Sequence, residues 1–329
     1  MRFVWGRSVD DAVSSFSFGG ISYAYRVWAP APATAAAPEA AAATPLALAA
    51  PDVPEASSAL AAPSPSVPPA PLVLLHGFAQ SAASWDAVAR EFAAAGRSVY
   101  ALDLAGHGES ERPADPQVYA LEAQADALLA FARKLADDEG TRPAILGYSM
   151  GGRVTLAALG RDPQAFSAVI LEAAGFGPAT QAERDAAAER DAACAARLRT
   201  DGREAFMEFW EQLPLFASQR ELPPDVRARV RAGRLANDAE ALARTFEHAG
   251  QHVMPARTTT LETLARLREA GTPLLYLAGE RDAKYRSLAV QAAEAGSTVR
   301  IVPGAGHNTH LEAPDAFVRE TAAFLSGAG

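Results

Sequence analysis

Cysteine is almost missing from this chain. Cys194 stands alone among 329 residues, which excludes an intrachain disulfide framework and a cysteine-rich zinc site. Lysine is nearly as scarce: Lys134 and Lys284 are the only two, and neither ends a glycine-rich phosphate loop. Basic residues number 30 against 39 acidic ones, and the net charge of -9 argues against a general nucleic-acid binder. No apolar run approaches the roughly 18–20 residues that a membrane span requires. The opening stretch, MRFVWGRSVDDAVSSF, alternates with polar groups too early for a signal-peptide core. These absences leave a cytoplasmic protein without a membrane span as the expectation, and they set no oligomeric state.

What is present suits a large core, with 49% hydrophobic and 21% charged residues, enough for one large domain or two smaller ones. The composition is uneven. Residues 29–71 hold 18 alanines and 11 of the 23 prolines, three acidic residues (Glu39, Asp52 and Glu55), and no lysine or arginine. Alanine favours helix, but proline every few positions breaks each turn that starts. The stretch reads as a disordered or partly polyproline spacer.

Before the spacer, residues 1–28 end in a hairpin, with Gly19-Gly20 as a two-residue turn between aromatic and β-branched flanks. After it, residues 72–177 alternate apolar runs of strand length with helical stretches. Strands are expected at Leu72–Leu75, Ser98–Leu102, Ala144–Leu146 and Ala168–Leu171, with helices at Ser84–Ala95, Leu121–Leu135 and Gly152–Leu159. Continuous apolar strands in such alternation predict a mostly parallel α/β sheet covered on both faces. The alternation stops over 178–270, a helical stretch rich in Ala, Arg and Glu. It resumes over 271–329 with strands at Pro273–Ala278 and Thr298–Val302 and helices at Ser287–Ala295 and Ala313–Leu325. This is the pattern of a core with an inserted helical cap.

Gly147-Tyr148-Ser149-Met150-Gly151 sits between a short apolar strand and a helix. Glycines flank the serine because such a turn is too tight for side chains, and the turn holds the hydroxyl out at the strand end. Serine needs a histidine to take its proton and a carboxylate to orient that histidine. Asp282, after the strand at Pro273–Ala278, and His307, after Thr298–Val302, follow in the order such a triad requires, on the loops where open α/β sheets place their sites. Glu280 is a weaker substitute for Asp282, and His310 reads as a rim or packing residue. His76 and His107 read as structural hydrogen-bonders in glycine loops. His248 and His252 have the i, i+4 spacing of a metal pair but no accompanying ligands, so no metal is expected. Cys194 lies mid-helix with no partner base. The loop His76-Gly77-Phe78 and the residue after the serine supply oxyanion donors in folds of this kind, here the N–H groups of Phe78 and Met150. Gly106-His107-Gly108 lacks the third glycine of a dinucleotide fingerprint, so cofactor-free chemistry is expected.

With elbow, triad order and cap, the chain resembles the α/β-hydrolase superfamily. Four local motifs narrow the resemblance: Gly147–Arg153, the cap segment Phe206–Phe216, Gly279–Tyr285 and Gly306–His310. Together they resemble the 2-succinyl-6-hydroxy-2,4-cyclohexadiene-1-carboxylate synthases of menaquinone biosynthesis. The resemblance implies a lyase that uses a hydrolase triad to eliminate pyruvate from a substrate with three carboxylates. It further implies substrate contacts from Arg153, Tyr148, Trp210, Arg234, Arg184 and Arg190. Arginine suits that work because its planar fork pairs a carboxylate bidentately. The chain departs from the family at Ala187, where the pattern has its main carboxylate-binding arginine. Either a neighbour takes over, or substrate preference differs. The spacer is not a family feature.

Overall fold

The computed structural model describes residues 13–30 and 69–327, so the expected spacer falls almost wholly outside the described residues. Eight strands form one sheet: β1 (Val13–Phe18), β2 (Ile21–Trp28), β3 (Leu72–Leu75), β4 (Val99–Leu102), β5 (Ala144–Tyr148), β6 (Val169–Glu172), β7 (Leu274–Gly279) and β8 (Thr298–Val302). Their order is β1-β2-β4-β3-β5-β6-β7-β8. β3 to β8 run parallel, and the hairpin β1–β2 joins antiparallel along β4. Every residue of β3, β5, β6 and β7 is buried, as uninterrupted apolar strands require when both faces are covered.

The helices are α1 (Asp86–Ala94), α2 (Leu121–Glu139), α3 (Met150–Arg161), α4 (Gln181–Thr200), α5 (Gly202–Glu211), α6 (Pro224–Leu235), α7 (Ala239–Ala249), α8 (Arg257–Glu269), α9 (Ala283–Glu294), α10 (Thr309–Glu312) and α11 (Pro314–Leu325). α1 packs against α11, whereas α2, α3, α8 and α9 form a second contiguous group. The sequence-based starts shift for local reasons. The helix expected at Ser84 opens as a 3-10 turn, Ala82–Trp85, before α1. α9 begins four residues before the expected Ser287, because the Asp282 side chain caps it by accepting from the Tyr285 N–H at 3.2 Å.

The expected cap span of 178–270 divides in two. α4, α5 and α7 share a second apolar cluster around Cys194, Leu198, Phe206, Met207, Leu242 and Phe246, which takes in Ala79 of the loop after β3, and α6 packs on α5. Leu264 and Leu267 of α8 instead join the main core around the sheet, with α8 packed on α3 and β7. One buried side chain ties the cap to two core loops at once. Asn237 Nδ2 donates to Ala79 O at 3.0 Å, and its Oδ1 accepts from Gly108 N at 3.2 Å, bridging the loops after β3 and β4.

Candidate active site

β5 runs straight into α3 through Ser149, whose φ of +50° and ψ of -103° lie where only glycine is comfortable. The neighbours explain why the turn must be this sharp. A Cβ on Gly151 would sit 2.2 Å from the Leu75 carbonyl oxygen, and one on Gly147 would sit 2.6 Å from Thr155 Oγ1. Gly152 packs just as closely on Ala174, where a Cβ would come within 2.5 Å. The glycines therefore let three strand ends and a helix converge while the serine side chain stays outside the contact.

Ser149 Oγ lies 3.1 Å from His307 Nε2, and His307 Nδ1 donates to Asp282 Oδ2 at 2.8 Å. The three expected catalytic residues are thus one connected chain, with His307 1% exposed and Asp282 7%. Asp282 is doubly fixed, since its other oxygen caps α9. The Tyr285 ring centroid lies 4.6 Å from that of the imidazole and Phe216 meets it edge-on at 6.0 Å, and these aromatic neighbours help keep His307 buried.

A deeper residue ties the serine turn to the loop that carries the histidine. Glu172, fully buried at the end of β6, accepts from Thr309 Oγ1 at 2.6 Å, from His310 N at 3.0 Å and from His310 Nδ1 at 2.6 Å. Its backbone oxygen accepts the Ser149 N–H at 2.8 Å. His310, stacked 4.0 Å from Trp85, is therefore the packing residue that its sequence position suggested. His76 and His107 are structural too. His76 accepts from Leu104 N at 3.2 Å and bonds Gly77 O at 2.8 Å, which fixes its neutral tautomer. Burial pulls its pKa down, and it pulls His107 down to about 3. Glu280 points away from the triad, its Oε2 accepting from Gly304 N at 2.9 Å.

The serine opens into a cavity of about 260 Å³ between core and cap. Phe78, Tyr148, Arg153, Arg190, Trp210 and Arg234 all line it, so six of the residues expected at the site do converge. Met150 is the first residue of α3, where an N–H has no acceptor within its own helix. Trp210, Phe78 and Phe246 form an aromatic wall, with centroids 5.1 Å apart for Phe78–Trp210 and 4.3 Å for Phe78–Phe246. Burial raises the Tyr148 phenol well above its ordinary pKa, so it stays a neutral hydroxyl.

The arginines differ in what already occupies them. Arg153 donates to Ala249 O at 2.6 Å and, among the described residues, pairs with no carboxylate. Burial lowers its pKa, yet a guanidinium starts so high that it keeps its charge. Arg190 contacts Asp191 Oδ1 at 3.2 Å, and Arg234 contacts Glu211 Oε1 at 3.1 Å and Gln219 Oε1 at 2.8 Å. Arg184 corrects the expectation. It does not line the cavity, and instead donates to the backbone oxygens of His252 and Met254, binding α4 to the segment after α7. Ala187 is buried and likewise does not line the cavity.

Sequence reasoning missed several contributors. Cys194 does line the cavity, but burial, with the nearby Asp191 carboxylate, raises its thiol pKa and keeps it protonated. Asp191, 3% exposed, accepts from His252 Nδ1 at 3.0 Å and Gln251 N at 2.9 Å, which gives His252 a structural partner. No group of three or more His, Cys, Asp or Glu among the described residues is arranged to hold a metal ion. No helix there is long and apolar enough to cross a membrane. Glu172 left no motif, since a lone glutamate ending an apolar strand reads only as the strand's boundary.

Comparison with known proteins gives the family. Residues 72–320 match the alpha/beta hydrolase family. The chain is 34% identical over 254 residues to the 2-succinyl-6-hydroxy-2,4-cyclohexadiene-1-carboxylate synthase of Citrobacter koseri, covering 77% of this chain and 93% of that one. It is 33% identical over 264 residues to the Salmonella paratyphi A enzyme of the same name, covering 79% and 96%. The solved structure of MenH from S. aureus superposes with a TM-score of 0.73 at 30% identity, covering 79% of this chain and 94% of that one. The chain belongs to the alpha/beta hydrolase family and, within it, to the 2-succinyl-6-hydroxy-2,4-cyclohexadiene-1-carboxylate synthases.

Proposed function

We propose that this protein eliminates pyruvate from 2-succinyl-5-enolpyruvyl-6-hydroxy-3-cyclohexene-1-carboxylate, as a cofactor-independent lyase in the cytoplasm. The observation that carries this reading is a connected triad opening on a cavity that Arg153 lines without any carboxylate partner among the described residues. A pocket for neutral esters has no use for converging guanidiniums, whereas a tricarboxylate needs them.

Ser149, polarised by His307 and oriented through Asp282, removes the proton next to the succinyl carbonyl. The N–H groups of Phe78 and Met150 stabilise the enolate oxygen, and the electron pair moves through the ring to break the C–O bond and release the enol of pyruvate. A positioned base and pre-oriented donors each contribute about 10²–10³-fold. Arg153 and Arg234 grip carboxylates, and Tyr148 and Trp210 complete the pocket. Arg190 lies three residues beyond Ala187 on the same face of α4 and lines the cavity, which supports it as the replacement for the family's arginine.

The test supplies the enolpyruvyl substrate and follows pyruvate release beside hydrolysis of a nitrophenyl ester. Rapid pyruvate release with slow ester turnover is expected. Fast ester turnover without pyruvate would sink the lyase reading in favour of the alternative, a serine hydrolase of carboxylic esters or carbon–carbon bonds acting through an acyl-enzyme.

A further inference from the structure

A second cavity, of about 250 Å³, opens in the cap beside the catalytic one, and the two share Arg234 and Phe216 in their walls. Its charge sets it apart. Arg227, Arg231 and Arg234 follow at i, i+4 and i+7 on α6 and so share one helix face. Arg220 joins them from the 3-10 stretch Pro214–Glu221. Glu211 is the only carboxylate in this lining, and it is already shared between Arg231 at 2.7 Å and Arg234 at 3.1 Å. The side chains of Arg220 and Arg227 make no hydrogen bond or ion pair within the described residues. The lining itself therefore carries four guanidiniums against one carboxylate, with Glu208 pairing Arg231 from outside it at 3.5 Å, on a protein whose net charge is -9.

Gln219 adds an independent sign. It is 7% exposed and lines the same cavity; its Oε1 accepts from Arg234, yet its buried Nε2 has no partner. A buried amide donor left unmade costs about 1–3 kcal/mol, so an anion entering this cavity gains by supplying the acceptor that Gln219 Nε2 lacks. Four guanidinium groups and a free amide N–H ask for the same chemistry, a small anion with several carboxylate oxygens.

We propose that this cap cavity is a docking subsite where a polycarboxylate substrate binds first, before passing Arg234 and Phe216 to reach Ser149. The inference rests on the proposed reading of the catalytic cavity, because it takes the docked anion to be that site's substrate. Arg234 belongs to both cavities and keeps a guanidinium in contact with the anion as it moves. A positive mouth on an acidic protein raises the local concentration of anionic substrate, and the effect weakens as salt screens it.

The experiment uses the full chain and the double variant Arg220→Ala/Arg227→Ala, both exposed positions whose loss leaves the triad untouched. Pyruvate release is measured at low and high ionic strength. The variant is expected to lose about tenfold in kcat/KM at low salt, keep kcat within about twofold, and show a flatter salt dependence. A kcat/KM within about twofold of the parent at low salt, or an equal fall in kcat, overturns the proposal. Calorimetric titration with tricarballylate, which carries three carboxylates and no leaving group, separates this from the assignment of the reaction. Binding about tenfold weaker in the variant is expected even if the parent releases no pyruvate, which would sink the lyase reading alone. Equal tricarballylate binding by parent and variant overturns the docking subsite.

Discussion

The core and the cap meet at one cavity but are built by opposite means. On the core side, each catalytic group is held by backbone. Ser149 hangs from a strand end that glycines let close to 2.2 Å of hypothetical contact, Asp282 caps a helix, and Glu172 ties the serine turn to the histidine loop. On the cap side, binding groups are long arginines on helices, and several are committed to exchangeable ion pairs such as Arg234–Glu211 and Arg190–Asp191. The difference separates two demands. Proton transfer tolerates little positional error, whereas recognition of carboxylates tolerates rearrangement so long as enough guanidiniums converge.

Substitutions on each side should break this contrast if it is wrong. The largest effect is expected for Ser149→Ala, which removes the base and should lower kcat by about 10⁴-fold or more with the fold intact. Pyruvate release and circular dichroism together check it, and a loss below tenfold would dismiss Ser149 as the base. Next is Glu172→Gln, which replaces one acceptor oxygen with a donor facing Thr309 and His310. Stability should fall by about 3 kcal/mol in urea unfolding. As a positioning residue, Glu172 should also cost kcat more than KM, and Glu172→Asp should restore part of the rate. An unchanged rate in a destabilised Glu172→Gln would reduce it to a packing role.

On the cap-facing wall, Arg153→Ala should cost about fiftyfold in kcat/KM without unfolding, the scale of one charge-assisted bidentate contact. Activity within a few-fold of the parent would refute the carboxylate clamp. The smallest effect concerns a core group away from the chemistry. His107 titrates near 3 when folded, because burial disfavours its charge, and near 6.5 when unfolded. As pH falls below about 6.5 the unfolded chain takes up the proton first, so stability declines, by about 2 kcal/mol between pH 7 and 5. His107→Gln should flatten the pH dependence of the urea midpoint over that window, and a parallel curve would show that His107 does not set it.

The same division governs how much the sequence revealed. The sheet, the elbow and the triad were legible because each follows a short local rule: apolar strand, glycine-flanked serine, then a carboxylate and a histidine on later strand ends. The cap was legible only as helical. Arg184 and Arg190 look equivalent in sequence, six residues apart on α4, yet one bonds backbone oxygens after α7 and the other lines the cavity. No local pattern distinguishes them, because the difference lies in what packs against the helix. The expected cap span takes in α8 for the same reason, as helical periodicity does not say which layer a helix covers.

The backbone of Ser149 carries one more consequence. A residue held at φ +50° forgoes about 1–3 kcal/mol that glycine would recover there. The chain would fold more firmly with glycine in place of its nucleophile, and alanine would bring no such relief. Turnover, and not the durability of the native state, is what keeps a serine at this position, and the most rugged form of this enzyme is one that cannot work.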